Sequence, residues 1–502
     1  MPRTNLDRKD TLSKRLGELA QVQAATPNSP HELEKLEKQI KVAQRELCSL
    51  HNSDAPISTL PDEVLAMVFE EGVVLNSSEG HFGSLMSHVT HRWRSVALAT
   101  PRLWSEIVWS IPCTVQEIER VSTFLSRTGT SPVEIHFLPY VSASASRKIP
   151  SEFIQLIYNH ISHCAHIYIW DIDSCYLSIV LEGLSCHQAP MLRSIVLGID
   201  RGYFEPRPIL NAHISPFEAP LLTTAHLSWI QASDLAFCLP AFENLATLKL
   251  THLYINDREE KECLSFRDTL MAMPRLYCLD LQLRMSVGSF GLYEVLLHTI
   301  EFLRIDACQG ALEGVINSIH AKSLTTLYLV RRDDLGETRF AGEENWASHF
   351  PSLQHLILEN GIQEPQDLDV ISRRFPSIKR FTYGLPWGSE AGHVGHVLDS
   401  ICLAAKHDDN ETDISMPHSN IGRPVIPWPE LDTIAFSTLD ETDTSITMLY
   451  ERISKLQSAG YHIRKLKLPK RIFARVREDI EHLQSIVNLE EYSLEWPTAP
   501  YG

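Results

Sequence analysis

Three histidine pairs, His88/His91, His163/His166 and His393/His396, stand three residues apart, a spacing at which two imidazoles on one helix face can hold a metal ion. A metal centre needs further ligands, and the sequence places none beside these pairs, so ordinary surface or core histidines are expected. His31-Glu32 is followed by Leu33, Glu34 and Lys35 and does not complete His-Glu-x-x-His. Asp333-Asp334 has the form of a paired-carboxylate site, but Arg331-Arg332 directly precede it, which points to a strand end of mixed charge. The stretch Lys465 to Arg477, with Lys467, Lys470, Arg471 and Arg475, could meet phosphate or an acidic partner and is expected to be one solvated flank of a larger element. The chain has no Gly-x-x-x-x-Gly-Lys-Ser/Thr loop, no Gly-x-Gly-x-x-Gly after a strand and no Gly-x-Ser-x-Gly elbow. No catalytic residue, cofactor or metal is therefore assigned, and the expectation is a protein that is not an enzyme.

What remains is recognition, and composition narrows the partners. Lys plus Arg is 45 against 63 for Asp plus Glu, a net charge of −18, which argues against nucleic acid or an anionic membrane. Met1 to Asp10 is polar and charged, with no apolar signal core, and no run of eighteen apolar residues occurs to span a membrane. The ten cysteines are scattered without a Cys-x-x-Cys, which suits reduced, mostly buried thiols in a cytoplasmic or nuclear protein.

The elements that would carry recognition fall into three regions. The first, 1–55, is helical: Leu12, Leu16, Leu19 and Val22 form one stripe, and Leu33, Leu36, Ile40, Ala43, Leu47 and Leu50 a second with coiled-coil spacing. Pro27 and Pro30 lie between the stripes and should break the helix. The readings are a two-helix hairpin, a second helix that pairs with another chain, or an amphipathic helix packed on the next domain, the last being favoured. The second region, 56–108, opens with Leu60-Pro61-Asp62-Glu63. Pro61 suits a first helical turn, the acidic pair suits its positive end, and Leu60, Val64, Leu65, Val68 and Phe69 line one face. After a polar loop from Asn76 to Gly83 the helical pattern resumes from Leu85 to Leu98 and ends in Thr100-Pro101-Arg102-Leu103-Trp104, a compact unit of about three helices.

The third region, 109–502, repeats itself. An apolar-x-x-apolar-x-apolar phrase recurs at Leu192/Ile195/Leu197, Leu222/Ala225/Leu227, Leu245/Leu248/Leu250, Leu276/Leu279/Leu281, Ile300/Leu303/Ile305, Leu324/Leu327/Leu329, Leu353/Leu356/Leu358, Ile378/Phe381/Tyr383 and Leu431/Ile434/Phe436. Weaker copies flank these at Cys164/Ile167/Ile169, Ile463/Leu466/Leu468 and Leu489/Tyr492/Leu494. The starts step by 28, 30, 23, 31, 24, 24, 29, 25, 53, 32 and 26, the period of leucine-rich repeats, with one unit degenerate or replaced by a loop at the 53. The last two apolar residues of each phrase are two apart, as the inward face of a short strand requires. Helical stretches such as Phe153 to Ile161 and Ile480 to Ile486 lie between copies. The expected fold class is an α/β repeat: N-terminal helices, then an irregular solenoid of curved parallel sheet with outer helices. The slot after the strand, usually Asn, holds Asp200, Arg284, Cys308 and Arg332, so the repeats are divergent. Ser142 to Pro150 reads as a loop, and 407–429 as a polar, then Pro-rich insertion. That insertion and the last repeats are the first places to seek a target.

The residues from Leu60 to Trp104 resemble the F-box. Leu60-Pro61-Asp62-Glu63-Val64-Leu65 with Val68-Phe69 looks like its opening helix, Val89-Thr-His-Arg92-Trp93-Arg94-Ser-Val-Ala97 like its second signature, and Pro101 to Trp104 like its end. Thr90 stands where many members have Cys. The helix before the motif, the Thr-Pro-x-Leu-Trp phrase, Ser126-Arg-Thr-Gly129-Thr-Ser-Pro132 and the loose repeats make the whole similar to the large F-box families of mushroom-forming fungi. The resemblance implies docking on the Skp adaptor of a cullin–RING ubiquitin ligase, with the repeats presenting a target protein. It implies Leu60, Pro61, Val64, Leu65, Val68, Trp93 and Leu103 as the adaptor interface or its immediate support. The alternatives are a non-ligase leucine-rich-repeat scaffold, or a recognition protein whose F-box-like segment only caps the solenoid.

Overall fold

The N-terminal stripes pack against each other. Helices α1 (Pro2–Ala25) and α2 (Pro30–Ser53) form an antiparallel hairpin, with Pro30 in the first turn of α2, where its missing N–H costs nothing. Arg8 Nη2 meets Glu46 Oε1 at 2.5 Å and Lys9 Nζ meets Asp54 Oδ2 at 2.6 Å, which ties the start of α1 to the end of α2. Leu12 and Ala43 are buried between the two helices' stripes, while Val22 stays outside, 49% exposed. The hairpin is thus the reading the chain takes. The computed structural model describes residues 2–25, 30–75, 82–110, 114–138, 151–172, 179–180, 184, 187–199, 218–235, 240–255, 260–283, 293–332, 346–359, 365–384, 393–404, 428–437, 446–471, 480–494 and 496–497. Pro27, the loop Ser142 to Pro150 and all but the end of 407–429 lie outside the described residues.

A 3-10 turn (Pro56–Thr59) leads into α3 (Asp62–Leu75), then α4 (Phe82–Ser87), α5 (His91–Leu98) and a second 3-10 turn (Pro101–Trp104). The sequence suggests one helix from Leu85 to Leu98, but the chain divides it. Thr90 is extended (φ −143°, ψ 165°) and its hydroxyl accepts from Trp93 N at 3.0 Å, capping a new helix. A capped start offsets the cost of the break. α4 approaches the second turn so closely that a Cβ on Gly83 would lie 2.7 Å from the Leu103 carbonyl oxygen. By contacts the chain divides into two units, Met1–Glu106 with Ser126–Ser131, and Ile107–Leu125 with Pro132–Gly502. The segments 1–55 and 56–106 fall in one unit.

The second unit is an α/β array around one sheet. Its strands are β1 (Glu106–Ser110), β2 (Val133–Leu138), β3 (Cys164–Ile172), β4 (Ser194–Ile199), β5 (Thr224–Ser228), β6 (Thr247–Leu253), β7 (Cys278–Leu283), β9 (Phe302–Cys308), β11 (Thr326–Arg332), β12 (His355–Glu359), β13 (Arg380–Gly384), β14 (Thr433–Phe436), β15 (Lys465–Leu468) and β16 (Asn488–Glu491). These fourteen lie side by side in chain order, and from β2 onward each neighbouring pair is parallel. Helices sit between successive strands, among them α6 (Val115–Thr128) and α7 (Ser151–His160).

Register explains the phrase. Ile195 pairs Ala225, Ala225 pairs Leu248, Leu248 pairs Leu279, Leu279 pairs Leu303, Leu303 pairs Leu327 and Leu327 pairs Leu356, one unbroken buried column. Two residues on, Leu197, Leu227, Leu250, Leu281, Ile305, Leu329 and Leu358 form a second column, also buried. Each such side chain contributes about 1.5–3 kcal/mol by leaving water, and only against its neighbours' side chains. Three details differ from expectation. Trp104-x-x-Ile107-x-Trp109 is the same phrase in aromatic dress, and Ile107 and Trp109 place β1 at the edge. The last copy is slipped: Leu489, not Tyr492, pairs Leu466. A small separate sheet, β8 (Val295–Leu296) with β10 (Ile319–His320), was not foreseen.

The 53-residue step inserts no strand between β13 and β14, because Phe381 pairs directly with Ile434. The helix His393–Ala404 occupies part of it, and buried Trp428, donating its indole N–H to Phe375 O at 2.7 Å, anchors the far end. Among the described residues no helix is long and apolar enough to cross a membrane.

Candidate functional site

Helix α3 has more apolar surface than its unit covers. Leu65 and Phe69 point inward, 0% and 1% exposed, while Val64, Met67 and Val68 stand outside at 40%, 65% and 47%. Spacings of three and four put those three on one side of the helix. Leu85, Val89 and Leu98 are exposed as well. A single exposed valine is ordinary; a second apolar stripe on a short helix marks a surface meant to be covered. Of the seven residues implied by the resemblance, Pro61, Val64 and Val68 are exposed, Leu60 and Trp93 half-buried, and Leu65 and Leu103 buried. The last two therefore act from beneath, as support. Trp93 packs on Phe69 with ring centroids 5.0 Å apart. Sequence reading missed Met67, for which α3 being apolar on more than one side was the available signal, and the exposure of Leu85 on α4 and Leu98 on α5.

It also missed Arg92, which holds the opening turn in place. Its Nη1 donates to Ser58 O at 2.6 Å, its Nε and Nη2 to Asp62 Oδ1 at 2.8 and 2.6 Å, and Nη2 also to Leu60 O. One planar guanidinium on α5 thus closes the turn from Pro56 to Asp62 onto the following helix, a fork no other side chain supplies. Arg92→Met keeps the length and loses every donor. It is expected to destabilise the N-terminal unit by about 2 kcal/mol, since bonds from a charged donor to backbone exceed the worth of an exposed ion pair. Thermal melts and amide exchange over residues 58–62 check this; unchanged exchange there would refute the role.

The second surface is the outward side of the sheet, the residues alternating with the buried columns. Near the β1 edge it carries an aromatic run. His136 stacks on Tyr168 (5.9 Å), Tyr168 lies 6.3 Å from Trp170, and Trp170 lies 4.9 Å from His226. Gly198 makes room for it: a Cβ there would meet the Trp170 ring at 2.4 Å. His226 Nε2 lies 3.1 Å from Thr251 Oγ1. Burial, with Lys249 and His252 nearby, pushes its pKa down to about 3. An unfolded histidine takes up its proton near 6.5, so between there and about 3 the unfolded chain binds one proton more than the folded one. Stability must fall as pH drops through that window, and His160, His163 and His166, all lowered first by burial, add to it in the same direction. His226→Gln is expected to remove up to about 2 kcal/mol of the loss between pH 7.5 and 5 in urea denaturation. An unchanged pH dependence would show that His226 is not the group responsible.

In the middle of the sheet the outward residues are charged and aromatic. Arg304 lies 3.4 Å from Asp280 and 3.9 Å from Asp306, and its guanidinium carbon is 5.0 Å from the Tyr328 ring centre. Tyr328 donates its hydroxyl to Glu359 Oε2 at 2.5 Å, and Gln282 Nε2 donates to Asp306 at 3.0 Å. Burial lifts the Asp280 carboxyl against the pull of Arg304, and burial followed by the Glu359 bond holds the Tyr328 phenol protonated.

Among the described residues, those with chemical potential do not assemble into one site. His88 and His91 are both exposed, one in the turn before α5 and one in it; His163 ends a 3-10 turn whereas His166 is in β3. His160 and His163 do meet, their ring nitrogens 3.3 Å apart. The side chains of His393 and His396 lie outside the described residues, as do Asp200, Arg284, Asp333 and Asp334. Among the described residues no three His, Cys, Asp or Glu side chains converge as metal ligands. Lys465 and Lys467 are matched to Glu490 at 3.0 and 3.5 Å and Lys470 to Glu491 at 3.9 Å, so this part of the basic stretch serves strand pairing; residues from 472 on are outside the described set. Cys164, Cys263, Cys278 and Cys402 are buried and Cys48 exposed. Burial pushes the Cys164 and Cys278 thiols up to about 12, which makes them poor nucleophiles. No protein-family model matches the sequence, and no curated protein matches it.

Proposed function

We propose that this chain is an F-box protein with leucine-rich repeats, similar to the large F-box families of mushroom-forming fungi. It serves as the non-catalytic substrate receptor of a Skp–cullin–F-box ubiquitin ligase, in the cytoplasm and/or nucleus. The observation that carries the reading is the second apolar stripe of α3, Val64, Met67 and Val68, beside a first stripe that is already buried. Such a stripe is worth exposing only if another protein covers it. Leu60, Pro61, Val64, Val68 and Trp93 would touch the Skp adaptor, and Leu65 and Leu103 would hold them from beneath. The repeats would offer their outward sheet residues to a target protein, since side chains on a rigid sheet are fixed in place before binding.

The test is co-purification of the intact chain with the Skp adaptor, followed by target turnover in cells that carry or lack the chain. A stable complex with loss of turnover when the chain is absent supports the receptor. A complex without any effect on turnover favours the scaffold reading. No complex reduces the segment 56–108 to a cap on the repeats.

A further inference from the structure

After its last strand the chain returns across the sheet. The Trp496 ring centre lies 5.8 Å from that of Phe302 on β9 and 5.8 Å from that of Tyr328 on β11, edge-on to both at 81° and 80°. Yet β16, which Trp496 follows, is the far edge strand, with β12 to β15 between it and β11. The floor on which the indole rests is rigid. Phe302 is braced by Tyr277 at 6.2 Å, and Tyr328 is held by Arg304 on its face and Glu359 at its hydroxyl. Edge-to-face contacts of this kind add about 0.5–1.5 kcal/mol each beyond the area they bury.

Trp496 differs from the chain's core tryptophans. Trp104, Trp109, Trp346 and Trp428 are fully buried, and three of them, Trp104, Trp346 and Trp428, donate their indole N–H to Ala97 O, Asn317 Oδ1 and Phe375 O. Trp496 is half-buried, and its ring contacts among the described residues are with Phe302 and Tyr328. On β7 and β9, next to Tyr328 through the Arg304 guanidinium, Asp280 Oδ1 and Arg304 Nε are buried without a hydrogen bond among the described residues. One lacks a donor and the other an acceptor, and a passing polypeptide backbone offers both. Leaving both groups dry is unfavourable, and a partner that reached them would relieve that cost.

We infer that Phe302 and Tyr328 form a recognition slot for an extended protein segment presenting an aromatic side chain, and that the segment bearing Trp496 is the chain's own occupant, displaced by that partner. The inference rests on the reading of the repeats as the target-binding part. It places the target contact in the middle of the sheet, on β9 and β11, rather than on the last repeats. A tethered occupant acts at an effective concentration of order millimolar, so weak docking suffices to close the slot while a tighter partner still opens it.

The experiment uses a fluorescent peptide with the sequence of residues 493–502 and three proteins: the full chain, the chain ended after Ser493, and the full chain with Trp496→Ala. Anisotropy should show the peptide binding the shortened chain and the Trp496→Ala chain, and the full chain about tenfold more weakly or worse. A peptide in which alanine replaces the residue matching Trp496 should lose about tenfold, and Phe302→Ser in the shortened chain should lose as much. Equal binding to all three proteins, equal binding of the two peptides, or no binding to the shortened chain would overturn the slot. Adaptor co-purification on the same shortened chain separates the two proposals. Peptide binding without adaptor binding sinks the ligase reading alone, and adaptor binding without peptide binding sinks the slot alone.

Discussion

Replacing Val64 and Val68 together by aspartate is expected to weaken the complex with the Skp adaptor by at least about a hundredfold, enough to lose co-purification. Each valine carried into an interface is worth about 1.5 kcal/mol, and an aspartate in its place must also shed water or hold the interface open. Two such changes exceed the roughly 2.7 kcal/mol that a hundredfold loss requires. The fold should survive, because both side chains are already exposed and surface substitutions shift stability by about 0.5 kcal/mol or less. Leu65→Asp is the contrast: at 0% exposed it would bury a carboxylate and unfold the unit, so loss of binding there carries no information about contact. The measurement is adaptor co-purification with thermal melts of both proteins. A double variant that melts normally and still co-purifies would remove α3 from the interface.

The same contrast shows what could be read from sequence. The columns were legible because one requirement, burial on one face of a short parallel strand, repeats in every unit and admits few residue types. Leu279, Leu303 and Leu327 could hardly stand elsewhere. Legibility failed where two registers satisfy the same pattern: Ile486/Leu489 and Leu489/Tyr492 both fit the opening of the phrase, and only pairing with Leu466 decides. It failed at β1 because Trp104 and Trp109 put indole rings in two of the three leucine slots around Ile107. In the helical unit, the sequence marks Val64, Leu65, Val68 and Phe69 as one apolar group, and only packing divides them into a buried pair and an exposed one. Arg92 and Trp496 lay beyond such reading altogether. Each acts through residues thirty or more positions away, and neither breaks a local pattern. The outward residues of the sheet, freed from the demands of the core, follow no periodic rule, which is why the candidate binding surface is the least legible part.

Truncating a column residue should cost most in the middle of the array and be felt on both sides. Leu327 is fully buried between Leu303 and Leu356, and Leu327→Ala is expected to destabilise by about 3 kcal/mol through lost burial and the cavity left behind. Leu466→Ala removes the same atoms from an equally buried site near the end, where only β16 lies beyond. If each strand draws its stability from its neighbours, the two variants differ in reach rather than in kind. Native-state hydrogen exchange should show Leu327→Ala lowering amide protection in β9, β11 and β12, and Leu466→Ala lowering it in β14 to β16 while β2 to β7 stay as they were. A uniform loss over every strand in both variants would instead mean one cooperative core. The difference reaches function directly. Phe302 and Tyr328 stand on β9 and β11, so a neighbour-coupled sheet loses the aromatic slot in Leu327→Ala and keeps it in Leu466→Ala, whereas a single core would lose it equally in both.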